Sequence, residues 1–205
     1  MILDAIRQGD GAEIGRLLAA EPALREARTA EGTSLVLWAV YTRHAELAPL
    51  LLGGREADLW EACALGDAGR VAAVLAANPG LVNAAAPDGF TPLGLACFFR
   101  HAGVARVVLD AGADASMPSA NKMRFSPLHS AVADAVEIVA LLLERGADAN
   151  AVAGDGNTPL HSAAAHGNGE VIGRLLAAGA DREARNGEGK TPGEFARQYG
   201  KGWEW

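Results

Sequence analysis

The stretch Asp155-Gly156-Asn157-Thr158-Pro159-Leu160-His161-Ser162-Ala163-Ala164-Ala165-His166-Gly167 is the most informative in the chain. It runs on through Val171-Ile172-Gly173-Arg174-Leu175-Leu176 to Gly179-Ala180-Asp181. Thr158 offers an oxygen that caps a helix start, and Pro159 sits where its missing N–H costs nothing. Leu160, Ala163 and Ala164 make one apolar face, and Gly167 ends that first helix. Val171, Ile172, Leu175 and Leu176 fall at helical spacing on a second helix, which Gly179 stops. The Asp155-Gly156 pair marks a projecting turn before the next helix start. Such a helix pair cannot bury its own apolar face, but a stack of them can.

The same pattern recurs along the chain. Arg124-Phe125-Ser126-Pro127-Leu128-His129-Ser130-Ala131 leads to Leu141-Leu142-Leu143-Glu144-Arg145-Gly146-Ala147-Asp148. Asp88-Gly89-Phe90-Thr91-Pro92-Leu93 leads to Gly112-Ala113-Asp114, and Gly187-Glu188-Gly189-Lys190-Thr191-Pro192 opens a last copy. Thr91, Ser126, Thr158 and Thr191 are separated by 35, 32 and 33 residues. The first third carries its own duplication at an offset of 57: Gly9-Asp10 on Gly66-Asp67, Pro22 on Pro79, Gly32 on Gly89, Ser34 on Thr91. From Ser34 to its next counterpart, Ala57, the step is only 23 residues, ten short of 33.

These motifs resemble the ankyrin repeat, whose period is about 33 residues and whose signature is Thr-Pro-Leu-His-x-Ala. The resemblance implies an all-α solenoid of stacked helix–turn–helix units with short β-hairpin fingers. The expected repeats are residues 1–32, 33–54, 55–86, 87–119, 120–152 and 153–186, with a partial cap over 187–205, in a single domain. The ten-residue shortfall predicts a tight turn at Gly53-Gly54-Arg55-Glu56 in place of a finger, because two glycines permit unusual dihedrals. It also predicts a gap in the finger row there. Pro49 is expected in the first turn of its helix or at a kink.

Composition narrows the function. Half of the 205 residues are hydrophobic and 21% are charged, which supplies a core and excludes disorder over most of the chain. The net charge of −7 opposes general nucleic-acid binding. No apolar run is long enough to span a membrane, and Met1-Ile2-Leu3-Asp4-Ala5-Ile6-Arg7 lacks the features of a secretory signal. Two cysteines, Cys63 and Cys97, make no disulfide framework and fit a reducing cytoplasm. They occupy equivalent positions on neighbouring first helices and are expected as buried, unreactive thiols. Fifteen arginines against three lysines point to a GC-rich, bacterial coding sequence.

Chemistry is sparse. Ala184-Arg185-Asn186-Gly187-Glu188-Gly189-Lys190-Thr191 fits a relaxed phosphate-loop pattern, which makes nucleotide binding or an enzyme at Lys190 the alternative reading. However, no apolar strand precedes it, and its Gly-Lys-Thr-Pro is the repeat in register. His129 and His161 share one repeat position, which the resemblance makes structural. No nucleophile elbow and no zinc motif is present. A non-catalytic protein with no cofactor or metal is expected.

The resemblance also implies where a partner protein binds: finger tips and the exposed ends of first helices. Phe90 and Phe125 hold the finger position before Thr or Ser. Tyr41, Leu65, Phe98 and Phe99 hold the two positions after the small-residue pair, and Met123 adds to the stripe. An apolar patch rimmed by charge marks a protein-binding site. The competing reading folds some of these rings inward to fill space beside the many alanines, for which Trp38 and Trp60 are better placed. The chain is expected to act as a monomeric adaptor, scaffold or inhibitor.

Overall fold

In the computed structural model, residues 2–133 and 135–202 are described. Thirteen α-helices follow one another among them. The first helices of successive units are α1 (Ile2–Gln8), α3 (Leu35–Tyr41), α5 (Leu59–Leu65), α7 (Pro92–Phe98), α9 (Pro127–Ala131), α11 (Pro159–His166) and α13 (Pro192–Arg197). The second helices are α2 (Gly11–Ala20), α4 (Ala48–Leu52), α6 (Ala68–Ala77), α8 (Ala102–Asp110), α10 (Val136–Glu144) and α12 (Gly169–Ala177). Each first helix packs on the next along the whole series, and α6, α8, α10 and α12 form a second row. This is the all-α solenoid that the repeats predict.

The helix starts are built as their sequence suggests. Thr91 Oγ1 accepts from the Gly94 amide at 3.0 Å, Ser34 Oγ from Leu37 at 3.2 Å and Thr191 Oγ1 from Glu194 at 3.3 Å. Pro49 lies in the first turn of α4. Cys63 and Cys97 are both buried and unbridged. Burial, with Asp58 nearby, pushes the Cys63 thiol up to about 12, and burial drives Cys97 up as well. Aryl-disulfide titration should therefore find neither thiol in the native protein and both in denaturant; rapid native labelling would contradict the packing.

The fingers are turns, each closed at its base by a backbone bond. Ala86 donates to Phe90 at 2.8 Å, Ala153 to Asn157 at 2.9 Å and Asn186 to Lys190 at 3.0 Å. The Ser119-to-Phe125 finger closes at 2.8 Å over a span two residues longer, which accounts for the 35-residue step. Among the described residues no strand forms; the one isolated bridge pairs Arg28 with Ser34. Adjacent fingers are stitched by Ala120 to Gly89 at 2.7 Å, Gly154 to Met123 at 2.8 Å and Gly187 to Asp155 at 3.1 Å.

The short junction is a tight turn, with Gly53 at φ 58° and Gly54 at φ 93°. The expected gap in the finger row does not open. A Cβ on Gly32 would lie 3.1 Å from Pro87 Cβ, so the finger at Arg28–Ser34 meets the one at Ala86–Phe90 across the missing one. Tyr41 spans the same place, donating its hydroxyl to Asp88 at 2.8 Å. Trp60 donates its indole N–H to the Ala84 carbonyl at 3.1 Å and is half-buried in the stack.

Omitting a finger leaves a seam in the core. One buried cluster runs from Ile2 to Leu51 and a larger one from Ala57 to Ala196. A small cluster of Leu37, Val40 and Ala64 joins them. An ion pair lies at the seam, between the junction turn and α5. Glu61, fully buried, accepts from both Arg55 terminal nitrogens at 2.7 and 2.8 Å and from the Asp58 amide at 3.0 Å. Burial pushes the Glu61 carboxyl up, but Arg55, the Asp58 amide and Ser34 outweigh it and hold it below the usual range. Ser34 caps α3, so this carboxylate ties α5 to the preceding unit.

Candidate functional site

The C-terminal ends of the first helices form a groove of about 690 Å³. Tyr41 enters it from the end of α3, Phe98 and Phe99 from the end of α7, Phe125 from the finger before α9, and His166 from the end of α11. Four of the seven residues anticipated from sequence thus line one site. Phe98 is 44% exposed, an unusual degree for phenylalanine, while Tyr41, Phe99 and Phe125 are half-buried.

The rings brace one another. Phe98 and Phe99 meet edge to face with centroids 5.0 Å apart, and Tyr41 lies 5.9 Å from Phe98 and 5.2 Å from Phe99. Such contacts add to area burial and fix ring orientation. Burial, reinforced by Asp88, keeps the Tyr41 phenol protonated as a donor. Phe125 stacks on His129 with centroids 5.6 Å apart and planes inclined by 10°.

Three anticipated residues lie elsewhere. Phe90 is only 6% exposed. Position three of α7 is Gly94, where α5, α9, α11 and α13 carry Glu61, His129, His161 and Glu194. The missing side chain leaves room, and the Phe90 ring fills it, 3.5 Å from where a Gly94 Cβ would stand. Phe90 thereby backs Phe98, with centroids 6.0 Å apart, and presents no contact surface. Leu65 lies across the seam, packing on all three core clusters and lining a separate groove with Ala48, Leu52 and Arg55. The cause is the short α4, which leaves that side of α5 uncovered. Met123 is 43% exposed at a finger tip and borders a smaller groove of about 300 Å³, which shares Phe125 with the main one.

Sequence reasoning missed Arg43 and Arg100, which also line the main groove. The signal was available: at the 57-residue offset, Tyr41-Thr42-Arg43-His44 falls on Phe98-Phe99-Arg100-His101.

The histidines at position three are structural. A backbone amide can only donate, so Nδ1 of His161, 3.1 Å from the Thr158 amide, is an acceptor and the proton sits on Nε2. Nε2–H donates to the Lys190 carbonyl at 2.9 Å. His129 repeats this, accepting from Ser126 at 3.2 Å and donating to the Asn157 carbonyl at 3.0 Å. Burial lowers the pKa of both, so each is a neutral strut between a helix start and the next finger.

The Lys190 loop is not a phosphate cradle. Gly187 donates to Asp155 at 3.1 Å and Gly189 to the Asn186 carbonyl at 2.9 Å. Glu188 and Lys190 both donate to Asn186 Oδ1 at 3.0 Å, and Thr191 donates to Glu194 at 2.9 Å. A phosphate loop needs those N–H groups free. Lys190 Nζ itself pairs with Glu188 at 2.6 Å.

Comparison with family models agrees with this geometry. Residues 59–153 match "Ankyrin repeats (3 copies)" and residues 142–196 match "Ankyrin repeats (many copies)". The chain belongs to the ankyrin-repeat family. Repeats of this family generally mediate protein–protein interaction and are typically non-catalytic. No curated protein matches the chain. Among the described residues, no helix is long and apolar enough to cross a membrane.

Proposed function

We propose that this chain is a non-catalytic adaptor, scaffold or inhibitor that seats a partner protein in the groove of Tyr41, Phe98, Phe99 and Phe125. The observation that carries this is Phe98: a large apolar ring left in solvent, yet held by three aromatic neighbours. Rigid aromatic anchors of this kind dominate interface energies. Met123 extends the surface, Phe90 supports it from behind, and Leu65 falls outside it. The buried free thiols suit a reducing compartment, and we place the protein in the cytoplasm as a monomer.

Capture of partners from the source cell with wild-type protein and with Phe98→Ser tests this reading. Loss of a hot-spot ring costs about 2 kcal/mol or more, which weakens binding roughly 30-fold. The exposed ring leaves the fold largely indifferent to its removal, so thermal melting should change little. Equal capture by the variant would show that the groove is not the binding surface.

A further inference from the structure

Among the described residues, three that are not glycine hold a positive φ, and all are arginines: Arg43 at 66°, Arg100 at 64° and Arg124 at 48°. Arg43 and Arg100 follow the ends of α3 and α7. The corresponding places after α1, α5 and α11 are held by Gly9, Gly66 and Gly167, at 70°, 81° and 81°. Glycine adopts this left-handed region freely, whereas a residue with a Cβ is strained there. The fold therefore accepts glycine at this position, and two units carry the less stable residue. Both border the same groove. Backbone strain kept where a groove opens is a reason to ask what the side chain does.

Arg43 is exposed and makes no ion pair or side-chain hydrogen bond among the described residues; Arg100 already has an interaction of its own. Ser130 supplies a second observation: its Oγ is buried at the groove wall with no hydrogen-bond partner. No carboxylate lines the groove among the described residues, although the chain as a whole carries −7. Among the described residues, the groove of this acidic molecule is thus lined by arginine and aromatic side chains and by no carboxylate.

We infer that the groove selects a protein segment placing a carboxylate side chain beside a large apolar one. The apolar group packs on Phe98 and Phe99. The carboxylate meets the Arg43 guanidinium, whose planar fork matches carboxylate geometry. The Ser130 hydroxyl is available to an oxygen of the segment. This rests on the groove being the partner site and adds to it the chemistry of the partner.

A random twelve-residue peptide library displayed on phage and selected on the immobilised chain tests the inference. The expected consensus sets Asp or Glu beside Phe, Leu or Trp. The best synthetic peptide should bind Arg43→Gly about tenfold more weakly, and Arg43→Lys at an intermediate level. Arg43→Gly should also melt about 2–4 °C higher, because the backbone strain is gone. Opposite signs for binding and stability separate recognition from a structural role. A basic or uncharged consensus, no enrichment at all, or equal binding by Arg43→Gly would overturn the inference. If Phe98→Ser abolishes binding while Arg43→Gly does not, the groove stands and the acidic preference fails; if neither variant matters, the groove itself fails.

Discussion

Arg55→Ala should destabilise the protein by about 3 kcal/mol at neutral pH, the low end for breaking a buried ion pair. It should also lower the melting temperature by roughly 6–12 °C. The reason is what it leaves behind. Glu61 is fully buried, and Arg55 is 35% exposed, so the pair is costly to break from the carboxylate's side. Without the guanidinium, burial dominates the Glu61 carboxyl. The pH dependence follows with a definite sign. In the wild type the lowered folded pKa stabilises above the ordinary glutamate range, and that contribution is lost as pH falls through the folded value. In the variant the folded pKa is raised, so stability is retained at low pH and lost as pH rises through it. The two melting curves should therefore converge towards pH 4 and diverge towards pH 8, and a gap independent of pH would refute the assignment. Because the core divides at this seam, the cluster from Ile2 to Leu51 should release first. Amide exchange at Ile6, Ile14 and Leu18 should accelerate well before exchange at Val139 or Leu142.

Much of this architecture is legible in the sequence because it is periodic. Thr-Pro or Ser-Pro at the starts of α7, α9, α11 and α13, small pairs within the first helices and glycines after α1, α5 and α11 each have a local physical cause, and they recur in phase. The missing finger could be counted from the short step after Ser34, although the structure caps α5 with Asp58 and not Ala57, which makes the step 24 residues. What escaped was decided by neighbours rather than by register. Phe90 sits at a surface position of the repeat, but Gly94 removes the side chain that would have kept it out. Leu65 sits at another, but the five-residue α4 fails to cover its far side. The finger row was expected to gap, yet Gly32 meets Pro87 and Tyr41 reaches Asp88 across the place of the missing finger. The two groove arginines needed a comparison between copies: only the glycines at Gly9, Gly66 and Gly167 show that Arg43 and Arg100 are out of place.

The finger stack depends on glycines whose Cβ would meet the main chain of the next finger, and Gly156 is one of them. Gly156→Ala should cost about 3 kcal/mol, while Gly189→Ala should cost only about 1 kcal/mol. Both hold positive φ, 82° and 74°, so each alanine incurs the left-handed penalty of roughly 1–2 kcal/mol. They differ in what a Cβ would meet. At Gly189 nothing lies within 4 Å. At Gly156 the methyl would strike the backbone nitrogen of Gly187 and stand 3.0 Å from the carbonyl carbon of Asn186. Main chain cannot rotate aside as a side chain can, so the two fingers must separate. Separation strains the Gly187–Asp155 bond at 3.1 Å and the buried Asn186–Asn157 amide pair at 2.8 Å. Leaving such groups unsatisfied adds about 1–3 kcal/mol. The His161 strut reaches the same finger through Lys190, so loosening it also loosens α13 on α11. Gly156→Ala should consequently lose amide protection at Phe195 and Ala196 while Leu95 and Val104, two units away, keep theirs. Equal melting temperatures for the two alanine variants would mean that the fingers yield freely, and that backbone conformation alone sets the requirement for glycine here.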